Sequence, residues 1–367
     1  MLSTEDGFLI RPHVSDRERI SAFFIFAQRT VSENKSLLLS MHADAITFGS
    51  RLVPARKKEL PEAVQPLVGD RKAFQYTGGG KWDPSALAPM DRQVSIDGDV
   101  WTVMYTASNS AVISNDKEDR GRALNFAGDE LGAKTIVGLP APRMRTNGDS
   151  AYLPDTTYLS TLTDFTQRFA IDAIAEGADG FYQSVEMPLT DTPAWRPTRE
   201  LYSAQNRALA QVLKGALVLV SPYIASERDA SHATPQQAAR GASIVLETAN
   251  GTRLLIAPQD GLGTGSAALL RDASRSHIAP LESYLYLIRQ AIGNHLWINV
   301  ELMRPGSGVS SREATTLQRV HKQLAAEMPF VTGAIAFIWD DRIRRIGAVQ
   351  ILDGAQGLGR GFGTTGR

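Results

Sequence analysis

Eight short, β-rich apolar runs recur along this chain, and from the third onward patterns of helical spacing separate them. The runs are SAFFIFA (21–27), AITFGS (45–50), KTIVGLP (134–140), DGFYQSVEM (179–187), ALVLVSPY (216–223), RLLIAPQD (253–260), LWINVEL (296–302) and AIAFIWD (334–340). Strands that alternate with helices pair in parallel, because each helix carries the chain back to the end where the next strand starts. Eight such units are the number a (β/α)8 barrel needs, and 367 residues accommodate one with an insertion. The expected fold class is therefore α/β, a (β/α)8 TIM barrel.

The helical stretches carry their own start signals. Leu159–Ala175 and Pro197–Leu213 place apolar residues at helical spacing. Thr234-Pro235 reads as an N-cap followed by proline at the first helical position, leading a helix to about Glu247. Ile278–Ile292 and Ser311–Met328 complete the set, with Ser310 and Glu313 at capping-box spacing before the last. Residues 52–133 fit no minimal βα unit. They hold a hairpin pattern, RQVSIDGDVWTVMYT, that turns at Asp97-Gly98, and read as an insertion after the second strand, over the barrel mouth or on its side. The expected organisation is one domain over 1–352 with a flexible Gly-rich tail over 353–367.

Composition removes several function classes. Lys+Arg and Asp+Glu are equal at 39 each, so no basic surface excess points to nucleic acid. With 43% hydrophobic and 21% charged residues, the chain can bury a large core and stay soluble. The absence of cysteine excludes disulfides, thiolate nucleophiles and zinc–thiolate sites. The first residues hold no apolar run of signal-peptide length, and no later run suffices to span a membrane. The expectation is a soluble protein, exported only if a leader has been removed. Its six histidines lack paired ligand spacing, and neither a Walker lysine nor a GxSxG elbow occurs. Gly261-Leu-Gly-Thr-Gly265 matches only part of a phosphate-binding loop. No metal or organic cofactor is expected.

Barrel enzymes assemble their chemistry from loops at the C-terminal ends of the strands. Two carboxylates stand at such ends, Glu186 after the fourth run and Glu301 in the seventh. An ionised glutamate beside apolar strand residues is costly unless it faces a wet cleft or a partner, and Arg304 is a ready partner for Glu301. A carboxylate pair about 5–5.5 Å apart suits retaining glycoside hydrolysis, and a wider pair suits inversion. Around them stand Asp260 in a PQDG turn, Tyr223 in SPY, Asn299 two positions from Glu301, and Gln183 on the strand before Glu186. Tyr182, Trp195 and Trp339 offer flat rings of the kind that stack on sugars, or else ordinary core packing.

The motifs GFYQSVEMPL (180–189), VLVSPYIA (218–225), IAPQDGLG (256–263) and AIAFIW (334–339), preceded by KTIVGLP, resemble those of an uncharacterised bacterial family of glycosidase-like TIM barrels. The resemblance covers roughly residues 20–340. It is similar in turn to the clan of retaining glycoside hydrolases with catalytic glutamates after strands four and seven. The resemblance implies a carbohydrate-active barrel with Glu186 as acid/base and Glu301 as nucleophile. One departure is plain: the clan has asparagine directly before the strand-four glutamate, and here that position is Val185.

The expected function is hydrolysis of a polysaccharide or oligosaccharide, with Glu186 and Glu301 catalytic and Gln183, Tyr182, Trp195, Tyr223, Asp260, Asn299 and Trp339 lining the sugar site. The expected partner is a glycan, with no nucleic acid and no membrane-spanning segment. A non-catalytic carbohydrate-binding barrel is the alternative. A lyase or aldolase holding a phosphate near Gly261–Gly265 is a third reading, for which no strand end offers the lysine or metal cluster.

Overall fold

The computed structural model describes residues 50–77, 88–115, 135–146, 152–224, 232–270, 279–306 and 312–339, together with three strands nearer the N-terminus. The chain is a mixed α/β protein. Its main sheet has nine strands: β1 (Asp6–Ile10), β2 (Ala22–Ile25), β3 (Ala43–Thr47), β4 (Thr135–Gly138), β5 (Ala178–Gln183), β6 (Leu217–Val220), β7 (Arg253–Ile256), β8 (Ile298–Glu301) and β9 (Ala334–Trp339). Their order is β7-β6-β5-β4-β3-β1-β2-β9-β8. All pairs are parallel except those of β1, which lies antiparallel between β2 and β3.

Each of the eight apolar runs contributes one of these strands. The ninth, β1, comes from DGFLI, a run too short to separate from loop by pattern alone. Its insertion means that the first two expected strands do not pair directly with each other. Backbone bonds also pass between the strands at the two ends of the order. Trp297 N–H donates to Ile256 O at 2.8 Å, Asn299 N–H to Pro258 O at 2.8 Å, and Asp260 N–H to Asn299 O at 3.0 Å.

Among the described residues, the later strands are connected by the helices α1 (Leu159–Ala175), α2 (Arg196–Val212), α3 (Pro235–Glu247), α4 (Leu281–Ile292) and α5 (Leu317–Glu327). Thr234 caps α3 in a full capping box with Gln237. The last helix starts later than its sequence pattern suggests. Glu313 is spent in a small antiparallel pair, Met303–Pro305 with Arg312–Ala314, where it bonds Arg304 at 2.8 Å. Thr316 supplies the cap instead, accepting from Arg319 N–H.

Strand alternation sorts the core into two faces. Val137, Phe181, Val218, Leu254, Ile298 and Val300 pack with the helices in the largest cluster. Ile136, Tyr182, Leu219, Leu255, Ala257 and Ile335, joined by Trp297, gather on the opposite, inner face. Contact is close enough that Gly241 of α3 admits no side chain: a Cβ there would stand 2.4 Å from Thr190 N.

The stretch after β3 supplies five strands of a second, six-stranded sheet, whose edge strand, Ala141–Pro142, follows β4 and pairs parallel with Arg51 and Leu52. Arg92–Ile96 and Asp99–Tyr105 are antiparallel, with Ile96 opposite Asp99. The two-residue turn has positive φ at both Asp97 and Gly98, the conformation that suits the twist of a hairpin. One face of this sheet, through Phe74, Tyr76, Met104 and Val112, shares the main core with Tyr158, Phe165 and Phe169 of the α1 region. Val103, Ala111 and Ile113 cover a smaller core with Leu60, Val64 and Val68. Ser108 N–H donates to Asp164 of α1 at 2.8 Å, and Arg168 of α1 reaches Asp91 at 3.1 Å. The insertion therefore lies against the helical flank. The tail at 353–367 and part of the loop at 75–86 lie outside the described residues.

Candidate functional site

The inner face of β5–β8 ends in polar residues. Ser221 follows β6, Gln259 follows β7, and Asn299 stands within β8, each continuing the alternation that faces Leu219, Ala257 and Trp297 inward. Asn299 Nδ2 donates to Ser221 Oγ at 2.8 Å, and Gln259 Nε2 donates to Ser221 O at 3.3 Å. The Tyr182 hydroxyl shares a hydrogen bond with the Ser221 side chain. Tyr223 sits half-buried where its backbone bridges Pro188 on one side and Gln259 on the other.

Glu186 joins this group through a side-chain hydrogen bond with Gln259. Its side chain keeps an open surface, yet the surrounding protein raises its pKa by desolvation, opposed by the Gln259 bond. The phenols of Tyr182 and Tyr202 are also pushed well up, first by burial and then by the charge of Glu186. Tyr202, fully buried on α2, donates to the carbonyl of Val185 and so fixes the backbone directly before Glu186.

Glu301 has a different setting. It is 3% exposed. Thr264 N–H donates to its Oε2 at 2.8 Å, and a Cβ on Gly263 would stand 2.7 Å from Glu301 Cβ and 2.5 Å from Met303 Cγ. The glycine-rich loop 261–265 thus lies directly on this carboxylate, and only glycine fits at 263. Arg304, the partner expected from sequence, is engaged by Glu313 instead.

Asp260 has no exposed surface and faces α5, away from the inner ring. Its Oδ1 accepts from Leu262 N–H at 2.8 Å, and its Oδ2 accepts from Glu301 N–H and from Gln323 Nε2, both at 3.1 Å. Glu327 shares a further hydrogen bond with it. Burial raises the pKa of both acids, that of Glu327 well above the carboxylate range, so Glu327 is the protonated partner that donates. Asp260 is therefore a tie between two strand ends and a helix, with its oxygens already engaged.

Two other expected positions, Gln183 and Trp195, turn away from these strand ends, and a third, Tyr182, is mostly buried beneath them. Gln183 has the opposite parity to Tyr182, and its Nε2 donates to Asn206 of α2 at 2.9 Å. Trp195, 6% exposed, belongs to the helix-side core, so its ring faces are covered. Tyr182 lies in the inner core with only its hydroxyl at the polar ring. Trp339 is the last residue of β9, and its side chain lies outside the described residues. The structure thus brings Glu186, Tyr223 and Asn299 to one strand-end region and adds Gln259, Ser221 and Tyr202. Ser221 and Gln259 carry a sequence signal, since Gln259 directly precedes Asp260 and Ser221 stands two positions before Tyr223, both at strand ends. Tyr202, mid-helix, carries none.

No family model matches the chain, and no curated protein matches it, so the motif resemblance rests on the quoted residues alone. Solved structures do match. A proposed alpha-L-fucosidase of Bacteroides thetaiotaomicron is 14% identical at a TM-score of 0.46, over 64% of this chain and 70% of that one. Pyruvate carboxylase of Rhizobium etli is 15% identical at 0.37, over 66% of this chain and 21% of that one. A sugar phosphate isomerase/epimerase of Parabacteroides distasonis is 8% identical at 0.35, over 65% and 76%.

Proposed function

We propose that this chain is a glycoside hydrolase acting on a polysaccharide or oligosaccharide, built on a (β/α)8-type barrel whose seam is the set of bonds between β7 and β8. The observation that carries the reading is Glu186: an accessible carboxyl at a strand end, beside Gln259, with its pKa raised by desolvation. Both features suit a general acid, because a raised pKa favours the protonated form and an accessible position lets it reach the leaving oxygen.

In this reading Glu186 protonates the glycosidic oxygen while the bond to the anomeric carbon breaks. Glu301 attacks that carbon, and water then releases the sugar, with Glu186 taking the proton from water. Tyr223, Gln259 and Asn299 contact the sugar from neighbouring strand ends, and Trp339, the last residue of β9, is the proposed stacking ring. Glu301 reaches the substrate only after the Gly261–Gly265 loop yields Thr264 N–H.

That cover over Glu301 favours a second reading, a carbohydrate-binding barrel without catalysis. Release of reducing ends from a broad glycan panel separates the two, with wild type beside Glu186→Gln and Glu301→Gln. Hydrolysis by wild type and its loss in both variants supports the hydrolase. Retained binding of one glycan with no release by any of the three replaces it with the binding barrel.

A further inference from the structure

A cavity of about 430 Å³ opens between the segment 262–269 and helix α5, and Glu186 is not among its lining residues. Leu262, Ala267, Ala268 and Leu269 form an apolar wall, and Thr316, Gln318, Arg319, Lys322 and Gln323 form a polar one. Such a volume is ordinary for a small-molecule site. Two features of the polar wall select the chemistry of its occupant.

The first is charge. Arg319, in the first turn of α5, and Lys322, one turn on, put two cations on this wall, and the helix N-terminus adds positive potential near Arg319. Arg319 is anchored by a bond to the carbonyl of Leu262, across the cavity edge, which fixes its guanidinium at the rim. Lys322 is exposed and makes no ion pair among the described residues.

The second is an unused acceptor. Gln323 is 1% exposed and lines the cavity. Its Nε2 is turned away, donating to Asp260 Oδ2 at 3.1 Å and Glu301 O at 3.3 Å. Both of those partners accept only, so the amide orientation is set, and Oε1 is left buried without a donor. A buried acceptor costs free energy unless a donor arrives. A plain anion offers none to it, whereas a hydroxyl does.

We propose that this cavity is a binding site for a small hydroxylated anion, a sugar acid or a sugar phosphate. Its acidic group meets Lys322 and Arg319, a hydroxyl donates to Gln323 Oε1, and its apolar face lies on Leu262 and Leu269. The site is independent of hydrolysis at Glu186. Because Gln323 also bonds Glu301 O, occupancy braces the strand end under the glycine loop.

Calorimetric titration of the full chain tests this with glucose 6-phosphate, glucuronate, uncharged glucose and inorganic phosphate as probes. At least one of the first two binds at least tenfold more tightly than both glucose and inorganic phosphate, and the tighter of the two tells which acidic group the site takes. Lys322→Glu, an exposed change that leaves the core intact, weakens that binding at least tenfold. Glu186→Gln leaves it unchanged, which separates this site from the proposed catalytic one. Equal binding of glucose, indifference to Lys322→Glu, or no binding of any probe at millimolar concentration overturns the proposal.

Discussion

The backbone N–H of Thr264 meets Oε2 of Glu301 at 2.8 Å, and the glycine before it leaves no room for a side chain between them. A loop is thereby registered against a carboxylate on β8 by one charge-assisted bond and one steric requirement. The first prediction follows. Gly263→Ala forces the loop off Glu301 and costs about 1–3 kcal/mol, the range for overpacking a tight site. Thermal denaturation reads this as a lowered midpoint; an unchanged midpoint means that the loop does not press on Glu301 in solution.

As the proposed general acid, Glu186 is expected to set a pH limb. A general acid works while protonated, so turnover falls as pH rises through its raised pKa, about tenfold per pH unit beyond it. The Gln259 bond holds that pKa down, so Gln259→Leu moves the limb to higher pH. Glu186→Gln lowers kcat by about 10² to 10⁴. A pH–rate profile on the hydrolysed glycan measures both, and a limb that stays in place in Gln259→Leu removes Glu186 from the acid role.

The Asp260–Glu327 pair ties stability to pH. Both acids have folded pKa values raised by burial, so the folded state holds protons that the unfolded chain releases. Their contribution is fully present below the unfolded values near 4 and declines as pH rises through the folded ones. Glu327→Gln keeps a donor for Asp260 and removes one titration. Melting curves between pH 5 and 8 are expected to slope down in wild type and to flatten in this variant. Parallel slopes would place the pH dependence elsewhere.

Arg168 joins the inserted sheet to α1, bonding Asp91 at 3.1 Å and Asp172 at 3.5 Å. Burial lifts Asp172 to about 6, against the pull of Arg168. Arg168→Met leaves two mostly buried carboxyls facing each other and costs about 3 kcal/mol, in the range for breaking a buried pair. The loss is smaller at pH 5 than at pH 8, since Asp172 then takes up a proton. Urea denaturation at both pH values checks the size and the sign.

Tyr202 fixes the segment before Glu186 through the carbonyl of Val185. Tyr202→Phe leaves that buried carbonyl unpaired and is expected to cost about 1–3 kcal/mol. If the bond also positions Glu186, the variant loses kcat with little change in KM. An unaltered kcat beside a lowered melting midpoint would restrict Tyr202 to a structural role.

Much of the architecture was legible in the residues themselves. The apolar runs mark the strands from β2 to β9 because a strand buried on both faces must be apolar throughout. Thr234-Pro235 marks the start of α3, and Asp97-Gly98 marks a turn, because few residues tolerate those backbone conformations. The strand ends also named the region where Glu186, Tyr223 and Asn299 gather. What pattern alone did not decide was facing and company. Gln183 and Trp195 turn to the helices, Asp260 turns to Gln323 and Glu327, and Arg304 finds Glu313 instead of Glu301. The reason is physical. Local sequence sets the period of a strand, but where the strand stops, parity stops with it, and the direction of the next side chain depends on which distant donor or acceptor is packed within reach. Glu186 has its partner in Gln259, 73 residues further on, and only folding brings them together.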